Sequence, residues 1–187
     1  MTEVAGIATL AAMAFRRLLI ALVSLPACVQ SPTVPDTGRA ADAGIVYADV
    51  VLAFTNAGAP QVCAGALPAC DAEPGEPCGP PEVLGPPDDV THVLEAGGRI
   101  DLGFRCGTVV ERGGEASPDL KIWADVGPDA SAVVEMSLDG ITYEPWIELT
   151  QSDQDLDLAR IDQQYLRYIR IADTGGGGIN IDAIEGI

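Results

Sequence analysis

Hydrophobic and polar residues alternate at every second position through much of the chain beyond residue 45. In residues 98–104 the large apolar side chains are Ile100, Leu102 and Phe104. The same alternation in residues 120–126 fills two faces, with Leu120, Ile122, Ala124 and Val126 on one and Lys121, Trp123 and Asp125 on the other. A period of two is typical of a β-strand with one buried face. Both segments are therefore predicted to be half-buried strands.

Further segments have the same strand character. Residues 46–55 form one predicted strand whose apolar side carries Val46, Val50, Leu52 and Phe54. Residues 133–146 predict a hairpin joined at Asp139-Gly140, because this dipeptide tolerates the positive φ angles of a type I′ turn. Residues 165–173 and 179–187 predict two more strands, separated by the four glycines at 175–178.

The arrangement of these segments predicts the fold class. A helix is possible only in residues 151–165, where the leucines are spaced too closely for an amphipathic helix. No repeat of about 20 to 50 residues is present, and residues 45–187 are long enough for a single core. Short strands with turn signals between them predict one all-β domain, an antiparallel β-sandwich or jelly roll.

The N-terminal segment has a different character. An apolar run at 18–25 follows Arg16 and Arg17 and ends at Pro26, and it is too short to span about 30 Å of hydrocarbon. A charged start, a short apolar run and a small residue before the cut are typical of a secretory signal peptide, here residues 1–27, and the compact opening from Met13 favours that residue over Met1 as the start. A buried amphipathic helix is the alternative interpretation of the same residues.

The residues around Cys28 suggest how the chain is attached. Leu25-Pro26-Ala27-Cys28 resembles a bacterial lipobox, in which the cysteine is lipidated and becomes the first residue of the mature chain. Residues 28–44 are polar and interrupted by proline, which is typical of a flexible tether. The resemblance implies a lipid-anchored protein outside the cytoplasm, and Val29 after the cysteine favours the outer membrane.

The charge of the chain excludes one class of partner. The sequence has 10 basic and 28 acidic residues, and removal of residues 1–27 leaves 8 and 27, a net charge of −19. Such a chain repels phosphate backbones, and no basic stripe offsets the charge, so no nucleic acid partner is expected. The acids are scattered, which is typical of a solvated surface. The alternative is calcium, since carboxylates in loops supply the oxygen ligands that this ion prefers.

Four cysteines remain after Cys28 is assigned to lipid. They are Cys63, Cys70, Cys78 and Cys106, and in an oxidising compartment they allow three pairings that the sequence does not distinguish. The first three lie in a stretch rich in Gly, Pro and small residues that has little apolar area to bury. Zinc is disfavoured because the spacings are longer than those of a zinc knuckle and no histidine is near the first three. Two disulfides are predicted.

Several of these segments together resemble a known family. Residues 83–104, 118–123, 133–146, 165–173 and 179–187 are similar to bacterial exported proteins with a galactose-binding-like, or discoidin-like, β-sandwich. The similarity runs from Tyr47 to Ile187 and is interrupted by a cysteine-rich insert at about 60–80. The resemblance implies a binding module for a glycan or another cell-surface ligand. Because such sandwiches also have adhesive and structural roles, an envelope protein that binds another protein is the alternative.

The resemblance also implies a structural calcium. The matching ligands are Asp88, Asp89 and Thr91 in an early loop and Glu185 in the last strand. The same loop residues, considered without the family, are those of an ordinary turn capped by Asp side chains. Asp182 is a further carboxylate near Glu185, but residues three apart on a strand share a face only if a bulge intervenes.

A sugar site needs an exposed aromatic ring beside hydrogen-bonding groups. Trp123 is the first candidate, because the alternation places it with Lys121 and Asp125 and away from the aliphatic face. Tyr143 and Trp146, at the far end of the predicted hairpin, are the other two. The alternative is that both tryptophans fill the core or cover its edge, with each indole N–H bound to a carbonyl.

Patterns that would indicate an enzyme are weak. His92 is the only histidine and lies in a predicted surface loop without a partner Cys or Ser motif. Asp155 and Asp157 could serve glycoside hydrolysis only at a suitable separation, which sequence does not give. The glycines at 175–178 lack the Lys-Ser/Thr pair and following helix of a phosphate loop. A non-catalytic protein is therefore predicted.

Overall fold

Antiparallel β-strands make up nearly all of the regular structure in the computed structural model, which describes residues 44–56, 60–63, 67–70, 78–113 and 117–187. A five-stranded sheet contains β1 (Val46–Tyr47), β4 (His92–Leu94), β7 (Leu120–Val126), β10 (Gln154–Leu156) and β13 (Ile179–Gly186). A six-stranded sheet contains β2 (Val50–Thr55), β3 (Gln61–Val62), β5 (Arg99–Gly103), β8 (Ala132–Ser137), β9 (Glu144–Leu149) and β12 (Tyr168–Asp173). A small ribbon pairs β6 (Val109–Val110) with β11 (Tyr165–Leu166).

The two larger sheets enclose one hydrophobic core. The first has the order β1-β13-β7-β10, with β4 also paired to β13, and the second has the order β3-β2-β5-β12-β8-β9. Every strand pair is antiparallel. Fully buried residues from both sheets contact one another, among them Ile122 and Ile184 from the first and Leu102 and Ile169 from the second. The chain is an all-β antiparallel sandwich, which confirms the predicted fold class.

Strand β7 has the predicted bounds and faces. Its residues Leu120, Ile122 and Ala124 are buried, while Lys121 and Trp123 are half-buried on the opposite side. Burial of the aliphatic row against the second sheet removes apolar surface from water, which is the main driving force for this packing. The polar row is left on the outer face of the sheet.

The predicted strand at 46–55 is wrong as a single element, because the chain crosses from one sheet to the other at Ala48 and Asp49. The Ala48 N–H donates to the Ile184 carbonyl in the first sheet, and the next N–H, from Asp49, donates to the Gly103 carbonyl in the second. The pairing of β2 with β5 is then irregular between Val51 and Ala53. As a result two consecutive residues, Val51 and Leu52, are buried instead of alternate ones.

The β8–β9 hairpin also differs from its prediction. Six residues, 138–143, join the strands, so the connection is longer than a two-residue type I′ turn. Gly140 has φ +73°, while Asp139 keeps a negative φ and accepts hydrogen bonds from the Ile141 and Thr142 N–H groups. The Asp139 carboxylate therefore organises the wider loop by capping its backbone.

Two short 3₁₀ helices complete the regular structure, at Pro81–Val83 and Leu158–Ile161. The second lies in the segment where a helix was considered possible, but the same segment also forms β10. The Asp157 carboxylate accepts the Ala159 N–H and so caps the Leu158–Ile161 turn. Within the described ranges, no helix is long and apolar enough to cross a membrane.

Two disulfides are present, as predicted, and the structure selects one of the three pairings. Cys63 pairs with Cys78 and Cys70 with Cys106, at Cα–Cα distances of 5.3 and 4.6 Å. The second bond ties the cysteine-rich insert to the loop that follows β5. Disulfides form and persist in oxidising compartments, so they indicate an environment outside the cytoplasm. The predicted signal peptide and Cys28 lie outside the described residues.

Candidate functional site

The outer face of the five-stranded sheet carries a row of polar side chains on four adjacent strands. Tyr47 in β1 pairs with Glu185 in β13, which pairs with Lys121 in β7, which pairs with Asp155 in β10. We call these four residues the outer row. Because paired residues in a sheet project to the same face, the row presents a hydroxyl, two carboxylates and an ammonium group to one surface.

Trp123 lies beside the outer row and is fixed by two of its members. Its indole N–H donates to the Glu185 carboxylate at 2.7 Å, and the Lys121 ammonium lies 3.6 Å from the ring centroid. A cation at this distance is attracted by the electrons of the ring face. The ring is therefore held in a defined orientation, and a ligand that stacks on the face covered by Lys121 must displace the ammonium group.

The electrostatics of the outer row centre on Glu185. Burial of the Tyr47 hydroxyl, followed by the charge of Glu185 and a hydrogen bond to it, raises the pKa of Tyr47. Tyr47 and Trp123 thus both direct donors at one carboxylate, and Lys121 is the cross-strand neighbour of Glu185. This arrangement offers donors and acceptors along the edge of an aromatic ring, which is what recognition of a polyhydroxyl compound requires.

The three predicted aromatic residues do not lie together. Trp123 belongs to the five-stranded sheet, whereas Trp146 is in β9 of the other sheet and packs against the core. Tyr143 precedes β9 and lies over the Arg170 guanidinium, 3.6 Å from ring centroid to Cζ. Burial, followed by the charge of Asp101, raises the pKa of Tyr143. Of the three, only Trp123 contacts polar side chains of the outer row.

Sequence patterns did not indicate the ion-pair cluster beneath Tyr143. Arg170 in β12 donates two hydrogen bonds to Asp101 in β5, at 2.7 and 2.8 Å, and one to Glu135 in β8 at 3.2 Å. These hydrogen bonds raise the pKa of Arg170 and keep it charged. Asp101 is 5% exposed, so the cluster is a covered structural element. Only the cross-strand register, which is non-local, brings these three residues into one row.

Two of the predicted calcium ligands accept hydrogen bonds within the chain, Asp88 from the Val90 N–H at 3.0 Å and Glu185 from the Trp123 indole. Asp182 accepts the N–H groups of Asp88 and Asp89 at 3.2 and 3.1 Å, because an irregularity in β13 between Ile181 and Ala183 redirects its side chain.

Asp88, Asp89 and Thr91 are exposed. Among the described residues, no group of three or more His, Cys, Asp or Glu side chains is placed to hold a metal ion. Calcium binding by Asp88, Asp89, Thr91 and Glu185 therefore stays a prediction.

The residues considered for catalysis occupy separate places. His92 was predicted in a solvated loop, but it begins β4 and contacts Phe54 edge to face at 5.2 Å between centroids. Burial lowers the pKa of His92, opposed by the charges of Glu82 and Glu95. Asp155 is exposed in the outer row, whereas Asp157 is buried and caps a 3₁₀ turn.

A pocket of about 220 Å³ lies beside the β8–β9 loop, and no sequence motif had indicated it. Its lining residues come from β8, the loop, β9 and the turn before β11, namely Met136, Ser137, Leu138, Asp139, Thr142, Glu144 and Gln163. We call it the hairpin pocket. It belongs to the six-stranded sheet, so it is distinct from the surface around Trp123.

Comparison with known proteins found no family model, curated protein or solved structure that matches the chain significantly. The resemblance to exported galactose-binding-like proteins therefore has support at one level, the all-β antiparallel sandwich. Functional interpretation depends on the geometry of Trp123, the outer row and the hairpin pocket.

Proposed function

We propose that the chain is an extracytoplasmic, non-catalytic binding module that recognises a glycan or another cell-surface ligand. The observation that supports this proposal is the position of Trp123. It lies half-buried on the outer face of the five-stranded sheet, beside the Glu185 carboxylate and the Lys121 ammonium. The two disulfides are compatible with work in an oxidising compartment.

The chemistry of the outer row suits a sugar better than a purely apolar ligand. The C–H face of a sugar ring packs on an aromatic ring, and its hydroxyl groups both donate and accept hydrogen bonds. Glu185 and Asp155 supply acceptors, and Lys121 supplies a donor, within one row across three strands. All three residues lie on paired β-strands, so little backbone has to become ordered when a ligand binds.

A binding role also agrees with the surroundings of the candidate catalytic groups. His92 contacts Phe54, and Asp157 is used as a helix cap. Neither arrangement places a general base beside a nucleophile, which is the geometry that covalent catalysis requires.

The first test is a glycan array with wild-type protein and with the Trp123→Ala variant, each with and without chelator. We expect the variant to lose at least about tenfold in apparent affinity, because a central tryptophan that acts as a binding hot spot is worth about 2 kcal/mol or more, and about 1.4 kcal/mol is tenfold. Tyr165→Ala is the matched control, since Tyr165 is a half-buried aromatic residue in the separate β6–β11 ribbon. A signal that Trp123→Ala leaves unchanged contradicts this site. Loss of signal with chelator alone would support the calcium prediction.

Lipid anchoring through Cys28 is part of the proposal and has its own test. Mass spectrometry of the mature N-terminal peptide should show a lipidated Cys28, and Cys28→Ser should release the protein from membranes. Several acyl chains hold a protein firmly on a bilayer, whereas a single chain holds it weakly. Unchanged membrane partitioning of Cys28→Ser would contradict the lipobox interpretation, whatever the glycan array shows.

A second candidate function is a structural envelope protein that binds another protein. It is favoured by the apolar side chains at the β8–β9 loop, where Ile141 is 84% and Leu138 is 42% exposed. Contiguous exposed apolar surface marks contact sites for other proteins, and these two residues lie in one loop. A blank glycan array, identical for wild type and Trp123→Ala, would favour this second function over the first.

A further inference from the structure

We infer that the hairpin pocket binds a basic side chain, lysine or arginine, presented by a partner protein. This inference goes beyond glycan binding and concerns the other sheet, so either can fail without the other. It depends on the shape and chemistry of the pocket, the state of Asp139, the charge of the chain and the exposed residues beside the opening.

The pocket combines an apolar part with acceptor groups. Met136 is a core residue only 5% exposed, and with Leu138 it provides the apolar surface. Asp139, Glu144 and Gln163 provide carboxylate and amide oxygens. Lysine and arginine side chains have the matching form, an aliphatic stem that packs on apolar surface and a cationic head that binds oxygen.

Asp139 is held as a carboxylate in a fixed orientation. Its Oδ1 atom accepts hydrogen bonds from the Ser137 hydroxyl at 3.0 Å and from the Ile141 and Thr142 N–H groups at 2.8 and 2.9 Å. The backbone donors, Thr142 first, lower the pKa of Asp139, so the group is ionised at neutral pH. All three of these hydrogen bonds go to Oδ1, and Asp139 lines the pocket, so Oδ2 is the oxygen that we assign to an incoming cation.

The charge around the pocket favours a cationic ligand. The described lining residues include two acids and no lysine or arginine. Arg170, which contacts Tyr143 near the loop, is already bound to Asp101 and Glu135. The whole chain carries a net charge of −18, so its field attracts basic partners over a long range.

The residues beside the opening indicate a protein partner instead of a free amine. Ile141 is 84% exposed and Leu138 is 42% exposed, and both belong to the loop that holds Asp139. A small amine would leave these side chains in water. Apolar residues that flank the basic residue in a partner chain would cover them, which adds hydrophobic burial to the charge contact.

The test is an NMR titration of the ¹⁵N-labelled full chain with short capped peptides. The probe is acetyl-Gly-Leu-Lys-Leu-Gly-amide, and its control has norleucine in place of lysine. We expect the lysine peptide to shift the amide signals of residues 136–144 and 163 with saturation, and to bind about tenfold more tightly than the control. A charge-assisted hydrogen bond of about 1.5 kcal/mol or more corresponds to this factor.

Two variants with the same charge change separate the pocket from general attraction. Asp139→Asn keeps the Oδ1 acceptor that the loop needs and should weaken the lysine peptide about tenfold. Asp129 is exposed in the loop that precedes β8, at the end of the strand opposite the pocket. Asp129→Asn should therefore leave the affinity for the lysine peptide within about twofold of the wild type. If Asp139→Asn disturbs the fold, seen as shifts far from the loop, Glu144→Gln takes its place in the comparison.

Three results would overturn the inference. The first is shifts spread over the acidic surface without saturation. The second is an equal loss for the Asp129 and Asp139 variants, because binding would then follow net charge alone. The third is n-butylamine binding as tightly as the lysine peptide, since the pocket would then take a free amine and Ile141 would play no part. An Ile141→Ser variant should weaken the peptide and leave n-butylamine unchanged.

Discussion

Replacing Arg170 with methionine is expected to lower the free energy of unfolding by about 3 kcal/mol. The substitution leaves Asp101, which is 5% exposed, without the guanidinium that donates to both of its oxygens. Breaking a buried ion pair from one side costs about 3 to 5 kcal/mol, because an unpaired charge stays buried. The lower end applies here because Arg99 lies 3.4 Å from Asp101 and compensates in part. Urea unfolding followed by circular dichroism measures the change.

Two further variants define the origin of this loss. Adding Asp101→Leu to Arg170→Met removes the buried charge as well and should recover most of the stability. Arg160→Met is the matched control, since Arg160 is 69% exposed and lies 3.8 Å from Asp157. Asp157 is buried, but its partner Arg160 is largely in solvent and the contact is long, so we expect Arg160→Met to cost at most about 1 kcal/mol. Equal losses for the Arg170 and Arg160 variants would show that the cluster does not contribute as described.

Removal of the Cys70–Cys106 disulfide is expected to have a similar or larger effect. The bond joins residues separated by 36 positions. Closing a loop of this length lowers the entropy of the unfolded chain, which stabilises the fold by about 4 kcal/mol at 25 °C. The double variant Cys70→Ser/Cys106→Ser should therefore unfold at a clearly lower urea concentration than the wild type. Equilibrium unfolding under oxidising conditions measures this.

The other disulfide supplies the comparison. Cys63 and Cys78 are 15 positions apart, so the corresponding double variant should lose about 3 kcal/mol, somewhat less than the first. Reduction of the wild type should lower its stability by more than either double variant. An unchanged unfolding midpoint for Cys70→Ser/Cys106→Ser would mean that the bond does not constrain the unfolded chain.

Features of the fold that depend on local periodicity could be predicted from the sequence. Strand β7 is the clearest case, because Leu120, Ile122 and Ala124 alternate with larger polar or amphipathic residues and the strand has one buried face. The position of Trp123 on the outer face follows from the same alternation. Its hydrogen bond to Glu185 does not, because the two residues are 62 positions apart and local patterns in the sequence do not reveal the register of β7 with β13.

Features that depend on sheet partners or irregular backbone were missed. The crossing at Ala48 and Asp49 contains neither Gly nor Pro, so the segment has the pattern of one continuous strand. Similarly, the irregularity near Asp182 changes which face this side chain occupies, and no local signal marks it. The cysteine pairing was open for the same reason, since distances between loops are a property of the folded chain.

The hairpin pocket shows how a correct local signal can give an incomplete prediction. Asp139-Gly140 does form part of a connection between two strands, and Gly140 has a positive φ angle. The loop is nevertheless six residues long. A longer loop has backbone N–H groups without a cross-strand partner, and the Asp139 carboxylate accepts two of them. The extra length displays Ile141 and creates the pocket.

If the proposed lipid anchor and the proposed ligand site are both correct, the position of β1 has a mechanical consequence. β1 begins at Val46, directly after the predicted tether, and Tyr47 is already a member of the outer row. A pull on a ligand held beside Trp123 would therefore pass to the membrane through a short path along β13 and β1. This path stays within the five-stranded sheet and does not include the six-stranded sheet.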